Sequence, residues 1–180
     1  MDENQRPGHI VFLNGTSSSG KTSIAKELEM LLDGYQRASA DDVKEYTAFI
    51  PRNQEPDFSD YMLGFHNYVR DLASKGTNVI VDNVLLEPNW TSEHERLLTE
   101  FDATYIGVHC PLDVLLERER IRDETLLREN GAERLLRKGK AESQFDRVHV
   151  GRQYNFEVDS SISSPQQCAA QIHHYLQGRA

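Results

Sequence analysis

The sequence predicts an α/β domain: a five-stranded parallel sheet with helices on both of its faces. Three observations carry this reading. Short apolar runs alternate five times with amphipathic stretches along the 180 residues, which is how β-strands and crossover helices succeed one another in a parallel sheet. The run "NVIVDN" (78–83) is apolar on both faces, as a central parallel strand must be. No repeat, low-complexity tract or linker interrupts the chain, so one domain over residues 1–180 is expected, with enough length for a core of its own.

Taken in order, "HIVFLN" (9–14) reads as a short buried strand. Residues 22–34 follow as a helix, with Ile24, Leu28, Leu31 and Leu32 on one face and Gly34 at its stop. "YQRASA" (35–40) is a weaker second strand that ends at Asp41 and Asp42, and such a strand usually lies beside the first. A short helix over 43–50 and a two-proline loop come next. Residues 58–75 carry a helical apolar pattern through Tyr61, Met62, Phe65, Tyr68, Val69 and Leu72, closed by Gly76.

The third strand, 78–83, leads to a helix over 91–101. "TYIGVHC" (104–110) is the fourth strand, and Pro111 can open the charged helical stretch after it. "YNFEVD" (154–159) is the fifth strand. Ser164 and Pro165 then start a last helix as N-cap and first-turn proline, with Cys168, Ala169, Ile172 and Leu176 facing inward. Ligands of such sheets bind beyond the carboxyl ends of the strands. Three of those five ends carry a carboxylate: Asp41, Asp82 and Asp159.

Composition narrows the function. A net charge of −9 argues against general binding to a nucleic-acid backbone. No apolar run is long enough to span a membrane, and the start "MDENQRPGH" lacks the apolar centre of a signal peptide. A cytoplasmic location is expected, and the oligomeric state stays open. Cys110 and Cys168 sit in apolar contexts and are expected to be buried free thiols. Among the histidines, His109 is expected as a satisfied core residue, His66 as a packed one, and His173 and His174 as exposed.

The segment Gly15-Thr16-Ser17-Ser18-Ser19-Gly20-Lys21-Thr22 matches G-x-x-x-x-G-K-[ST] without a mismatch, between a strand and a helix. Its glycines permit backbone angles that let successive N–H groups converge on phosphate oxygens. The helix start adds its positive dipole end. Lys21 is expected at the β- and γ-phosphates of ATP and the Thr22 hydroxyl on Mg²⁺, with Ser23 following in the same nucleotide site. No N-K-x-D guanine-reading motif is present. A chain of this length suits a kinase that phosphorylates a hydroxyl.

Phosphoryl transfer also needs a group that takes the acceptor's proton, and cations over the moving phosphoryl group. Asp41 or Asp42 is placed for the first role; only one of two neighbours in an extended segment can face the cleft. Their alternative is capping the next helix. Asp82 is a candidate Mg²⁺ ligand, directly or through water, or else a strand-end cap. Arg118 and Arg122, four apart, share a helical face and are candidates to close over ATP on a helical Arg-rich lid spanning about 118–142. Arg120, Arg128, Arg134 and Arg137 lie nearby, and surface Glu–Arg pairing accounts for some of this charge run.

These residues resemble the chloramphenicol phosphotransferase-like family of P-loop kinases. The matching segments are "FLNGTSSSGKTSI", "SADDV", "GFHNYVRDLASKGTNVIVDNVLL", "IGVHCPLDVLLERERIR" and "VHVGRQYNFEVDSS", which run in order over most of the chain. The resemblance implies ATP-dependent phosphorylation of an antibiotic hydroxyl, hence antibiotic resistance. It implies Asp41 as the catalytic base, Arg118 and Arg122 as lid arginines, and "EVDSS" near the adenine. The stretch from Asp41 to the His66 helix looks shorter than in the chloramphenicol enzyme, and 123–142 looks longer, which leaves the acceptor open. Two alternatives remain: a kinase of a nucleoside, nucleotide-sugar or RNA end, and a nucleotide-binding module without catalysis.

Overall fold

The structure, a computed structural model, describes residues 6–41, 58–86, 99–130 and 138–179. The expected helix over 43–50, the loop after it, most of the helix over 91–101, Asp42, Arg134 and Arg137 lie outside the described residues. Five strands form one sheet: β1 (Ile10–Asn14), β2 (Tyr35–Ser39), β3 (Asn78–Asp82), β4 (Ala103–His109) and β5 (Phe156–Asp159). Their order is β2-β3-β1-β4-β5, and every neighbouring pair is parallel. β2 is therefore an edge strand separated from β1 by β3. The expectation that it would lie beside the first strand is corrected. The reason is in the residues: β3 has four buried positions and takes the interior place, whereas Tyr35, Gln36 and Arg37 of β2 are only partly buried or exposed.

The helices are α1 (Lys21–Leu31), α2 (Phe58–Ser74), α3 (Leu112–Asn130), α4 (Lys140–Phe145) and α5 (Pro165–Gln177). The alternation within β1 decides how they are placed. Ile10 and Phe12 point to one face, where they meet Phe65, Val69 and Ala73 of α2. Val11 and Leu13 point to the other, against Ile24, Ala25 and Leu28 of α1 and Cys168, Ala169 and Ile172 of α5. All four β1 side chains are fully buried. Burial of this kind contributes roughly 1.5–3 kcal/mol per large apolar side chain. The start of α5 is the expected one: Ser164 Oγ accepts from the Gln167 N–H, and Gln167 Oε1 accepts from the Ser164 N–H, closing a capping box ahead of Pro165.

Two further boundaries differ from the sequence reading. β5 begins at Phe156 because Tyr154 leaves the sheet plane to lay its ring over Gly107, and Asn155 fills the ladder position. The Asn155 N–H donates to the Tyr105 carbonyl, and Asn155 Oδ1 accepts from the Tyr105 N–H. The charged stretch after β4 forms α3 and then α4, with residues 131–137 between them outside the described residues. Both cysteines are buried free thiols, as expected.

Strand register determines what meets at the carboxyl edge. Leu13 pairs with Asp82, and Asp82 with Ser39, so β1, β3 and β2 end level. The loop after Asn14, the Asp82 carboxylate and Asp41 consequently open onto the same side of the sheet.

Candidate active site

Beyond this edge lies a cleft of about 1040 Å³, lined by the Ser17–Ser23 segment, Asp41, Asp82, Arg118, Arg122 and Ser160–Pro165. It contains most of the candidate residues picked from the sequence, from α1, the ends of β2 and β3, and α3. Gly15 has no room for a side chain: a Cβ there would lie 2.5 Å from the Val108 carbonyl oxygen. Gly20, the N-cap of α1, stands at φ +88°, and Ser18 at φ +66°. A non-glycine residue held in the left-handed region costs about 1–3 kcal/mol. The buried strand beneath the loop offsets that cost. Thr16, Ser17, Ser19 and Lys21 are themselves buried, so the loop is a packed turn rather than a flexible one.

Lys21 Nζ donates to the carbonyls of Gly15 (2.8 Å) and Thr16 (2.9 Å). Two of its three ammonium hydrogens thus fix the charge within the ring of the loop. Thr22 and Ser23 are exposed at the start of α1 and face the cleft. Asp82 is 6% exposed, and its Oδ2 makes no hydrogen bond among the described residues. A buried carboxylate oxygen without a partner is costly unless a cation or donor arrives. Asp41 is exposed and lines the same cleft. The third strand-end carboxylate has a different job: Asp159 Oδ1 accepts from the Ser161 N–H and hydroxyl, which close a turn and hold its pKa below the usual range.

α3 sorts its charges by helical phase. Leu115, Glu119 and Asp123 are buried, Arg118 and Arg122 flank them, and Arg120 and Arg128 are exposed. Arg118 donates to the Ser160 carbonyl (2.7 Å) and hydroxyl (3.1 Å), which anchors the segment at the cleft's other end. Arg122 donates to Ser18 Oγ at 2.9 Å, directly on the loop. Arg120 instead pairs with Glu117 and Glu124 in solvent, so surface pairing is the correct account of that residue. The two arginines chosen for their four-residue spacing are the ones that face inward.

Four residues escaped the sequence reading. Glu119 is buried within the charge run and accepts from the Gly139 N–H (2.6 Å) and Ala141 N–H (2.9 Å), binding α3 to the start of α4. Its phase with Leu115 and Asp123 was the available signal. Gln144 on α4 accepts the Ser17 N–H at 2.7 Å; nothing in its sequence neighbourhood marks it. Asn14 donates to the Val148 carbonyl and Tyr154 hydroxyl and accepts from the Leu85 N–H. Tyr154 in turn contacts His149 Nδ1 at 2.8 Å.

Because Asn14 donates to the Tyr154 oxygen, the hydroxyl hydrogen is left for His149, whose Nδ1 accepts it as a neutral ring. Burial, His109 and Lys21 bring the His149 pKa down to about 4. Burial pushes the Tyr154 phenol up to about 12. His109 is half-exposed, stacked on His149 with centroids 4.1 Å apart and paired with Glu157. It is therefore satisfied but not in the core, because β4 ends at the open edge. His173 is half-buried and His174 exposed, a partial correction to the expectation that both are exposed. His66 is buried, as expected.

A pH effect on stability follows. His149 keeps its proton less well folded than unfolded, so its contribution is complete above the ordinary imidazole value of 6.5 and is lost as pH falls toward about 4. The thermal midpoint is expected to drop across that window. His9, also lowered by burial, acts in the same direction. His149→Gln is expected to flatten part of the drop; an unchanged slope in the variant would show that this ring does not titrate there.

The chain matches the family model described as chloramphenicol phosphotransferase-like protein over residues 8–177. No curated protein matches it. Among solved structures it is similar to the Mycobacterium tuberculosis APS kinase in complex with AMPPNP and APS, at 16% identity and TM-score 0.68, covering 95% of this chain and 98% of that one. It is also similar to a sugar kinase from Janibacter at 18% identity and TM-score 0.64, covering 95% of each chain. The Deinococcus radiodurans tunicamycin resistance protein matches at 19% identity and TM-score 0.62, covering 94% and 95% of the two chains. These likenesses establish the P-loop kinase fold. With its parallel sheet, its G-x-x-x-x-G-K-T loop and a family match over almost its whole length, the chain belongs to the chloramphenicol phosphotransferase-like family.

Proposed function

We propose that the protein transfers the γ-phosphate of ATP to a hydroxyl of a small molecule, with an antibiotic such as chloramphenicol as the leading acceptor. The observation that carries this is the single cleft lined by both the phosphate loop and Asp41, with the Asp82 carboxylate oxygen left without a partner between them. A cleft of about 1040 Å³ stands at the upper end of the usual range for small-molecule sites, roughly 300–1,000 Å³, which suits a nucleotide beside a second small molecule.

In this reading the amides of Ser18 and residues 20–22 and the α1 dipole bind the phosphates, since the Ser17 and Ser19 N–H groups are engaged within the protein, and the adenine end lies toward Ser160–Pro165. Asp41 accepts the acceptor's proton as its oxygen attacks the γ-phosphorus. The bond to the β–γ bridging oxygen breaks and ADP leaves. Lys21, Arg118 and Arg122 offset the charge on the phosphoryl oxygens. The residues suit Mg²⁺: an exposed hydroxyl on Thr22 and a carboxylate oxygen on Asp82 are the hard donors this ion takes. Bound there, Mg²⁺ would neutralise phosphate charge.

The same proposal treats residues 1–180 as one domain, with the α3–α4 region (about 118–142) as its lid, acting in the cytoplasm. Among the described residues no helix is long and apolar enough to cross a membrane. The net charge of −9 favours a neutral small acceptor over RNA. The test is incubation with ATP, Mg²⁺ and a panel of hydroxylated antibiotics, nucleosides and sugars, read by mass spectrometry. A gain of one phosphate on an antibiotic supports the reading. A gain only on a nucleoside or RNA end replaces it, and nucleotide binding with no transfer at all favours a non-catalytic module.

A further inference from the structure

The geometry points to Gln144 as a ligand of the terminal phosphate of a bound nucleoside triphosphate; this rests on the phosphotransferase reading above. The orientation of its carboxamide follows from chemistry. A backbone N–H can only donate, so the atom of Gln144 that lies 2.7 Å from the Ser17 nitrogen is the oxygen, Oε1. The NH₂ end must then point away from Ser17. Gln144 lines the cleft while its Oε1 is held by the Ser17 N–H. Two N–H donors are thereby presented to the cleft, one residue away from where Arg122 grips Ser18.

The mounting is rigid for so short a helix. Ala141 of α4 is fully buried against Leu115, and Glu119 holds the Gly139 and Ala141 amides. The side chain is therefore presented from a fixed base. A phosphate oxygen at the Ser17 end of the loop would receive the Gln144 amide hydrogens without any rearrangement of the Oε1 contact. Amide-to-phosphate hydrogen bonds are charge-assisted and stronger than neutral ones. The β-phosphate, deeper at residues 20–22, would not be touched. Gln144 thus distinguishes triphosphate from diphosphate.

The test compares the affinities of ADP and a non-hydrolysable ATP analogue, both with Mg²⁺, in wild type, Gln144→Glu and Gln144→Leu. Glu keeps a Ser17 acceptor but replaces the donors with negative charge; Leu removes both. Gln144 is half-buried near the surface, so Glu, which keeps the Ser17 acceptor, is expected to hold the wild-type thermal midpoint, whereas Leu leaves the buried Ser17 N–H without its acceptor and is expected to lower it. The expected result is a loss of about ten- to a hundredfold for the triphosphate analogue, larger in Glu than in Leu, with ADP affinity unchanged. Equal losses for both nucleotides, or no loss, would overturn the assignment while leaving phosphotransfer intact. A wild-type protein that binds neither nucleotide would instead remove the phosphotransferase reading, and this assignment with it.

Discussion

Asp41→Asn is expected to cut turnover by about 10²–10⁴-fold while leaving nucleotide affinity and thermal midpoint near wild type. The substitution keeps size and polarity and removes only the capacity to take a proton. Asp41 is exposed at the tip of an edge strand and carries no core packing, so the fold has little reason to respond. It follows an edge strand that β3 separates from β1 and the loop, so nucleotide binding has little reason to respond either. Steady-state kinetics on an accepted substrate, with calorimetric titration of ADP alongside, separates the two quantities. Turnover within a few-fold of wild type would take Asp41 out of the mechanism and move attention to Asp82.

Lys21→Met is expected to have the opposite signature, in which affinity and turnover fall together. The ammonium holds the carbonyls of Gly15 and Thr16 and is buried at 6% exposure. Methionine fills the same space but leaves those two acceptors without the donor and removes the positive charge that the proposed reaction sets against the phosphates. Loss of one preorganised charge-stabilising group typically costs on the order of 10²–10³ in turnover. Here the triphosphate should also bind more weakly, because the charge acts on the ground state as well. Titration of the ATP analogue would show a reduced affinity in Lys21→Met and none in Asp41→Asn. Unchanged affinity in the lysine variant would mean that the loop does not hold the phosphates through this residue.

Most of the architecture was legible because it rests on one-dimensional signals. The alternation Ile10, Val11, Phe12, Leu13 commits β1 to two buried faces whatever surrounds it, and the Ser164–Gln167 box needs only four consecutive residues. The conformation of the G-x-x-x-x-G-K-T loop is legible for the same reason, since its glycine and lysine positions are set by local backbone geometry. The order of strands was not: β2 stands outside β3 because of a difference in burial between two distant segments, and local pattern does not rank them. Within α3, spacing picked out two arginines that line the cleft, but Glu119 disappeared among like-looking charges. Gln144 and Tyr154 acquire their roles only from what long-range folding puts beside them, Ser17 and Gly107 respectively. The candidate roles of Asp41, Asp82, Lys21, Thr22 and the two arginines remain proposals that the variants above address.

The strand end from which the G-x-x-x-x-G-K-T loop leaves is tied down by one carboxamide. Asn14 reaches partners 71, 134 and 140 residues further along the chain, at Leu85, Val148 and Tyr154. Contacts of such sequence separation form late, after the intervening chain has been ordered. The base of the glycine-lysine segment thus depends on chain more than 130 residues away, and a chain cut before residue 148 would keep the motif but lose two of the three contacts at its root.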